Sequence, residues 1–174
     1  NNYQSAVRRF DFYILFLEKG YLLLNPVGLL GYITPHKYIN SDFGSGIRSF
    51  FIQNKALSKI ISFGNNLVFS QAAIYTGLFF LTKNSANYFK YLEMPSTDPD
   101  GIKSSLDRII ESDFSDIEYS KLTDAPWILS DDTTSETIEK LKNIQSTAKD
   151  IFENISQGVV STGDDIFYMK GLFN

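Results

Sequence analysis

The chain has 174 residues, 43% of them apolar, and a formal net charge of −4. This length suits one good domain, or a compact half-domain followed by the start of another. The chain has no cysteine, which excludes disulfides, thiolate nucleophiles and Cys-ligated zinc. No apolar run is long enough to span a bilayer and no secretory leader is visible, so we expect a cytoplasmic protein with no membrane partner.

Charge is distributed unevenly along the chain. Residues 1–90 carry nine Lys and Arg against three Asp and Glu, whereas residues 91–174 carry seven against seventeen. The basic half could face a phosphate backbone, or its charges could be ordinary solvated surface. The acidic half, taken as a whole, should not face nucleic acid.

The first ninety residues alternate between helical and strand patterns. Apolar side chains spaced at three and four residues predict an amphipathic helix over residues 8–25. Asn25-Pro26-Val27-Gly28 then predicts a turn, since Pro stops the helix and Gly relaxes the backbone. Further elements are predicted in the order buried strand 29–33, helix 41–54 capped by Ser41, and strands 59–63, 73–82 and 88–94. This order predicts an α/β fold, the back half of a doubly wound sheet, whose closely spaced strands 59–63 and 73–82 form an antiparallel edge pair.

The second half has the pattern of a mixed α+β segment. Residues 95–101, Pro-Ser-Thr-Asp-Pro-Asp-Gly, carry the clearest linker signal in the chain. After this linker, helices are predicted at residues 103–112 and 134–154. A strand, a turn and a second strand are predicted from residue 158 onward.

Two segments near the N-terminus carry a family resemblance. Residues 11–18 read Asp-Phe-Tyr-Ile-Leu-Phe-Leu-Glu, and residues 28–35 read Gly-Leu-Leu-Gly-Tyr-Ile-Thr-Pro. They resemble the TaqI-like adenine-specific DNA methyltransferases, in which an aspartate-led helix follows the catalytic Asn-Pro-Pro-Tyr loop and a glycine turn leads into a Tyr-Ile-x-Pro strand. The resemblance covers about residues 10–83. A weaker one, at Trp127 and residues 158–167, is to the start of that family's target-recognition domain.

The resemblance implies a fold, an activity and a set of partners. Residues 1–94 would be the C-terminal half of a Rossmann-like methyltransferase domain, and residues 102–174 a connector and the start of the target-recognition domain. The parent enzyme would transfer a methyl group from S-adenosylmethionine to the exocyclic amine of an adenine flipped out of double-stranded DNA. It would act in a restriction-modification system, with other subunits or a fused endonuclease. The main cofactor loop and the Asn-Pro-Pro-Tyr loop do not occur in the chain, so we expect the chain alone to be inactive.

The resemblance assigns one aromatic side chain to the target base. Phe69 matches the Phe of a Val-Phe loop that packs against the flipped adenine, although it could instead be a core residue that closes the sheet end. Asn65, Asn66 and Ser70 share its loop and are candidates for contact with the base or the DNA. Four cations are candidate phosphate contacts, with solvated surface charge as the default for each: Arg8, Arg9, Lys37 and Arg48.

Three features imitate functional motifs. Asn25-Pro26 resembles the start of the catalytic loop, but Val27-Gly28 follows, so we interpret it as a turn. The segment Asp42-Phe43-Gly44-Ser45-Gly46 resembles the cofactor loop of methyltransferases, but no buried strand leads straight into it. If it were a true phosphate loop, the chain would belong to an unrelated α/β enzyme.

His36, the single histidine, cannot complete a His-based metal site or a Ser/His/Asp triad and is expected in a loop.

Other catalytic signals are weak. The pairs Asp131-Asp132 and Asp164-Asp165 suit caps and turns better than a metal site. No lysine follows an acidic residue by two positions, so the magnesium-nuclease signature does not occur in the chain. One alternative function therefore stays open, a non-catalytic DNA-specificity or assembly module of a restriction complex.

Overall fold

The computed structural model describes residues 3–7, 10–69, 73–84, 86–95, 99–129, 140–141, 143–144, 146, 148–154 and 156. Contacts divide the chain into a first unit, Asn1–Ser135, and a second unit, Glu136–Asn174. The helices described in the first unit are α1 (Phe12–Leu23), α2 (Ser45–Asn54) and α3 (Pro99–Leu106). The strands are β1 (Leu29–Pro35), β2 (Leu57–Ser62), β3 (Thr76–Thr82), β4 (Tyr88–Glu93) and β5 (Ser115–Glu118). In the second unit, one helix is described, α4 (Ala148–Ile151).

The five strands form one mixed sheet in the order β1-β3-β2-β4-β5. β3 pairs antiparallel with both β1 and β2, β2 pairs parallel with β4, and β4 pairs antiparallel with β5. β1, β2 and β4 therefore run in the same direction, and their carboxyl ends, at Pro35, Ser62 and Glu93, lie along the same side of the sheet. We call this side the carboxyl edge. In open α/β sheets, ligands bind at the carboxyl ends of parallel strands, so we expect a ligand site at this edge.

One face of the sheet is covered by α1 and α2. Buried side chains recur along α1 at Ile14, Leu17 and Tyr21, a spacing that puts them on one side of the helix. They pack in one cluster with apolar residues of α2 and of the strands. Alternation along β2 sends Ile60 into this cluster and Ile61 to the opposite face. There Ile61 packs with Phe63, Met94 and Ile102, and Ile102 belongs to α3.

The buried carboxylate of Glu18 ties the N-terminal segment to α1. Glu18 is 3% exposed, and its two oxygens accept hydrogen bonds from the backbone N–H groups of Gln4 (2.9 Å) and Ser5 (2.7 Å). A buried charge needs such donors, since an unsatisfied carboxylate is costly to remove from water. Gln4 and Ser5 are thus held against α1.

Up to residue 95 the predicted elements are found in the predicted order, with three corrections. β1 is an outer strand of the described sheet rather than a buried one, and Leu29 and Ile33 are 66% and 42% exposed. β2 and β3 pair antiparallel as predicted, but β2 is the central strand because β4 pairs on its other side. Ser41 does not cap α2, since a 3-10 turn, Asp42–Gly44, intervenes and the Ser41 hydroxyl donates to the carbonyl of Lys37.

Residues beyond the predicted linker join the same sheet. α3 begins at Pro99, inside the predicted linker 95–101, and β5 adds an outer strand that sequence patterning missed. Trp127 is 3% exposed, and its backbone N–H donates to the carbonyl of Ile39 at 2.8 Å. The first unit thus continues past residue 101, whereas the assignment of residues 102–174 to a target-recognition domain stays a prediction.

The predicted helix 134–154 is wrong as one continuous element, since Asn143, Ile144 and Ser146 lie within it and are not helical. The predicted strands after residue 158 lie outside the described residues.

None of the helices in the described ranges has both the length and the apolar composition needed to cross a membrane.

Candidate functional site

Three chain segments leave the sheet at the carboxyl edge. His36 and Lys37 follow β1, residues 63–75 connect β2 to β3, and Glu93 is the last residue of β4. The backbone N–H of His36 donates to the carbonyl of Tyr75 at 3.2 Å, which holds the first two segments together. Polar and aromatic side chains from distant parts of the sequence therefore meet at one side of the sheet.

The loop after β2 presents Phe69 to solvent. Phe69 is 45% exposed, so the alternative that it closes the sheet end as a core residue is wrong. Asn65 is also exposed. Asn66, in contrast, is 4% exposed, and its side-chain amide donates to the carbonyls of Phe63 (2.7 Å) and Pro95 (3.0 Å). Asn66 thus fixes the loop from within and is not placed to contact DNA, contrary to prediction, while Ser70 lies outside the described residues.

Arg48 lies inside the protein. Its side chain is fully buried, and its guanidinium donates to backbone carbonyls in two separate segments. Nε and Nη2 donate to Asp124 O at 3.0 and 2.7 Å, and Nη1 donates to Ser41 O at 2.7 Å and also to Tyr38 O. Burial lowers the pKa of Arg48, and the charges of Asp124 and Asp42 oppose that shift. The predicted phosphate contact is therefore wrong for Arg48, because a guanidinium enclosed by carbonyls cannot reach a phosphate.

The other candidate phosphate contacts differ in what can be said of them. Lys37 is exposed at the carboxyl edge, directly after His36 in a short 3-10 turn. Its position suits a phosphate contact, which stays a prediction. Arg8 and Arg9 lie outside the described residues, as do Asp131-Asp132 and Asp164-Asp165. In the described ranges no three His, Asp or Glu side chains group closely enough to hold a metal ion.

The segment Asp42–Gly46 does not fit a cofactor. A Cβ atom on Gly44 would lie 1.8 Å from Tyr38 O, and one on Gly46 would lie 2.6 Å from Ser5 O. Both glycines are therefore needed because protein backbone already occupies the space beside them. These residues offer no open cradle for S-adenosylmethionine, and β1 ends at Pro35, well before them.

Asn25-Pro26 is a turn, as predicted. The backbone N–H of Gly28 donates to Asn25 O at 3.0 Å, and that of Val27 donates to the Asn25 side-chain oxygen at 3.1 Å. The Asn25 side chain is thus used within the turn itself. This geometry supports the interpretation that the pair is not part of a catalytic loop.

A polar network that the sequence did not single out lies at the carboxyl edge. Tyr91 O–H donates to Glu93 Oε2 at 2.8 Å, and Ser62 Oγ lies 3.4 Å from His36 Nδ1. Gly64 N–H donates to Ser62 Oγ at 3.1 Å. These groups come from the ends of three parallel strands. The sequence analysis singled out only His36. The one sequence feature that could have indicated Ser62, Tyr91 and Glu93 is that each lies near the end of a predicted strand.

Burial and neighbouring charge set the protonation of this network. Burial lowers the pKa of His36, while the Glu93 carboxylate and a hydrogen bond to the Thr76 backbone partly oppose the shift. Burial and the hydrogen bond to Glu93 raise the pKa of Tyr91 well above its ordinary value. Near neutral pH the imidazole is thus uncharged and Tyr91 is a hydrogen-bond donor.

The network borders a cavity of about 200 Å³ at the carboxyl edge. Its walls are largely apolar and include Phe79, Trp127 and Ile128. A larger cavity, of about 380 Å³, lies on the α3 face of the sheet. Its charged lining residues, Lys59 and Glu111, form an ion pair with each other at 3.4 Å.

The chain is similar to restriction-modification proteins. Residues 1–69 match the family described as the Eco57I restriction-modification methylase. Over 92 residues the chain is 44% identical to the type II restriction enzyme and methyltransferase RM.Eco57I of Escherichia coli, which covers 53% of this chain and 9% of that protein. It is 28% identical over 189 aligned residues to the type II methyltransferase M.BanIII of Aneurinibacillus aneurinilyticus, covering 91% of this chain and 32% of that protein. The chain thus spans at most about a third of these two relatives.

Solved structures show the same fold. A nuclease-deletion mutant of the type ISP restriction-modification enzyme LlaGI, in complex with a DNA substrate mimic, aligns over 73% of this chain and 14% of its own, with a TM-score of 0.58 and 17% identity. The ATP-dependent type ISP enzyme LlaBIII, bound to DNA, aligns over 76% of this chain and 10% of its own, with a TM-score of 0.54 and 16% identity. The fold is the Rossmann-like fold of restriction-modification methyltransferases, as predicted. The chain is therefore similar to type II restriction-modification methyltransferases, and its residues 1–69 match the Eco57I restriction-modification methylase family.

Proposed function

We propose that this chain is part of a restriction-modification enzyme that transfers a methyl group from S-adenosylmethionine to the exocyclic amine of adenine in a specific DNA sequence. One observation carries the proposal. In a chain homologous to restriction-modification methylases, Phe69 presents an exposed aromatic ring at the carboxyl edge, where open α/β sheets bind ligands. An aromatic ring that is exposed rather than packed is free to contact a base that has left the duplex.

In this proposal the chain supplies one side of the base site. The ring of Phe69 packs against the extruded adenine, and Asn65 lies on the same loop. Lys37, exposed on the segment after β1, contacts the DNA backbone. The methyl donor is held elsewhere in the enzyme, since the glycines of Asp42–Gly46 are enclosed by backbone.

Double-stranded DNA is the proposed partner, together with other restriction-modification subunits. Its support is that the similar structures of LlaGI and LlaBIII contain DNA or a DNA mimic. The surplus of Lys and Arg in residues 1–90 is of the sign that a phosphate backbone attracts. Residues 102–174, which the resemblance assigns to a connector and the start of a target-recognition domain, would add contacts that depend on the DNA sequence.

The test is a methylation assay on the enzyme that contains this chain together with its native flanking sequence. Labelled S-adenosylmethionine is the donor, DNA is the acceptor, and the methylated nucleoside is identified by mass spectrometry after digestion. We expect N6-methyladenine. A methyl group found only on cytosine would refute the adenine assignment, and no transfer to any DNA would refute the activity.

Phe69 is tested in the same enzyme by two substitutions. Phe69→Ala removes the ring and Phe69→Leu keeps an apolar side chain without an aromatic face, whereas Phe69→Tyr, the matched control, keeps the ring. We expect turnover to fall by roughly tenfold or more in the Ala variant and less in the Leu variant, and to be largely retained in the Tyr variant. Equal activity of all three variants would show that Phe69 does not contact the base.

A further inference from the structure

The connection between β2 and β3 exposes large apolar side chains at the carboxyl edge. Four of them are 42–48% exposed: Leu67, Phe69, Ile74 and Tyr75. Residues 63–75 include no Asp, Glu, Lys or Arg. Several large apolar side chains exposed together mark a surface that a partner covers. The contact of Phe69 with the extruded adenine accounts for one of the four.

We infer that Tyr75 stacks on the DNA base that loses its neighbour when the target adenine leaves the duplex. Extrusion costs stacking energy. An aromatic ring can replace the lost neighbour, because every base has a flat π face. The inference rests on the proposed function, since it requires a base to leave the duplex. It adds a second aromatic contact, separate from that of Phe69 with the extruded base itself.

The backbone of Tyr75 is fixed while its side chain is exposed. Its carbonyl accepts a hydrogen bond from the N–H of His36 at 3.2 Å. The next residue, Thr76, is buried and begins β3 opposite Pro35 of β1. A tyrosine on a fixed backbone loses little conformational freedom on binding, since only two side-chain torsions are left to order. Tyr75 is therefore preorganised for contact with a planar partner.

The charges around Tyr75 favour DNA as that partner. His36, which binds the Tyr75 carbonyl, is followed directly by the exposed Lys37, whose charge attracts a phosphate backbone. Residues 63–75 contain no carboxylate that would repel phosphates. Glu93 lies at the same edge, but it belongs to β4, which β2 separates from β3. A base and its phosphate thus meet an aromatic ring and a cation on neighbouring segments.

DNA with an abasic site isolates this contact. The target base is missing from such DNA, so Phe69 has nothing to contact, whereas the bases on either side already have an exposed face. Two pools of labelled duplexes with random flanking sequence are compared, one intact and one with a tetrahydrofuran abasic site in place of one adenine. Fluorescence anisotropy measures the Kd of each pool for the enzyme that contains this chain with its native flanking sequence. We expect the abasic pool to bind roughly tenfold more tightly.

Tyr75→Ala is the decisive variant and should reduce that preference to roughly twofold or less, whereas Tyr75→Phe keeps the ring and should retain it. Tyr88→Ala is the matched control, because Tyr88 is 41% exposed but begins β4, at the amino end of the parallel strands. Phe69→Ala should also keep the preference, since an abasic site holds no base for Phe69. The salt dependence of Kd should be unchanged in Tyr75→Ala, because no ionic contact is removed.

Three results would overturn the inference: equal affinity of the unsubstituted enzyme for the two pools, an unchanged preference in Tyr75→Ala, or a loss of the preference in any of the other three variants. Circular dichroism confirms that each variant is folded. The titration involves no methyl donor, so its failure would leave the methylation assay to decide the proposed function. A negative methylation assay, in turn, would leave a preference that depends on Tyr75 standing as evidence for the contact.

Discussion

Replacing Arg48 with methionine should destabilise the first unit severely. Arg48 is fully buried, and four of its hydrogen bonds to backbone carbonyls measure 3.0 Å or less. A hydrogen bond from a charged donor contributes about 1.5–3 kcal/mol, and removing one partner of a buried charged contact costs about 3–5 kcal/mol. Methionine keeps apolar packing but leaves the carbonyls of Ser41 and Asp124 without their donors. We therefore expect a loss of about 3–5 kcal/mol in the free energy of unfolding.

The assay is urea denaturation followed by far-ultraviolet circular dichroism and by Trp127 emission. Arg108→Met is the matched control, since Arg108 is exposed and the same chemical change there should alter stability by about 0.5 kcal/mol or less. Arg48→Lys should fall between the two, at about 1–3 kcal/mol, because an ammonium keeps the charge but cannot donate to Asp124 through two nitrogens.

One result would refute this reasoning. If Arg48→Met costs less than about 1 kcal/mol yet weakens DNA binding and lowers its salt dependence, Arg48 contacts a phosphate. A loss of stability as large as expected, with DNA affinity unchanged under conditions where the variant is folded, would confirm that Arg48 acts within the protein.

Three further predictions concern other contacts. Gly44→Ala should cost about 3 kcal/mol or more by urea denaturation, because its Cβ would overlap a backbone carbonyl, whereas Gly31→Ala, which meets only a side chain at 3.3 Å, should cost about 1 kcal/mol or less. Tyr119→Phe should cost about 1–3 kcal/mol, since the buried Tyr119 hydroxyl accepts from Leu57 N at 2.8 Å and donates to Leu57 O at 2.9 Å. Stability should fall as pH drops below about 6.5, and less so in a His36→Asn variant, because burial lowers the pKa of His36 and the unfolded chain takes up the proton first.

The sign of the pH effect follows from the direction of that shift. The stability that neutral His36 contributes is fully present above the unfolded pKa and is lost as pH falls through the lowered folded pKa. Urea denaturation of the unsubstituted chain and of the His36→Asn variant between pH 8 and pH 5 measures this loss of stability. If the free energy of unfolding changes with pH equally in the two proteins, the prediction is contradicted. For Gly44, a cost no larger than that of the Gly31 control would mean that the backbone can move aside. An unchanged stability of the Tyr119 variant would mean that water replaces the hydroxyl.

Much of the fold could be predicted from residue order alone. The apolar spacing around Ile14 and Leu17 predicts α1, and the short apolar runs at β2 and β3 predict strands, because local periodicity reflects which side of an element is buried. β5 was missed because Ser-Asp-Ile-Glu has neither alternation nor β-branched enrichment beyond one Ile. Its strand conformation comes from pairing with β4, a contact between residues far apart in sequence.

The candidate site was only partly predictable for the same reason. Resemblance selected Phe69 and its loop; the side chain is exposed, and its contact with a base stays a prediction. The positive charge of Arg48 suggested a surface role, and only the tertiary structure encloses it between Tyr38 and Asp124, which lie 86 residues apart. The charge of a residue does not show whether its side chain lies inside the protein or at its surface.

The sequence by itself determined the resemblance to restriction-modification methylases, the order of elements in the first ninety residues and the exclusion of cysteine chemistry, since these depend on residue identity and local spacing. Only the tertiary structure decided that β1, β2 and β4 run parallel and end together, which brings His36, Ser62 and Glu93 to one cavity. Strand order depends on pairing between distant segments, and local sequence carries little record of it. The carboxyl edge is therefore a property of the fold, because its residues are far apart in the sequence and only strand pairing brings them together.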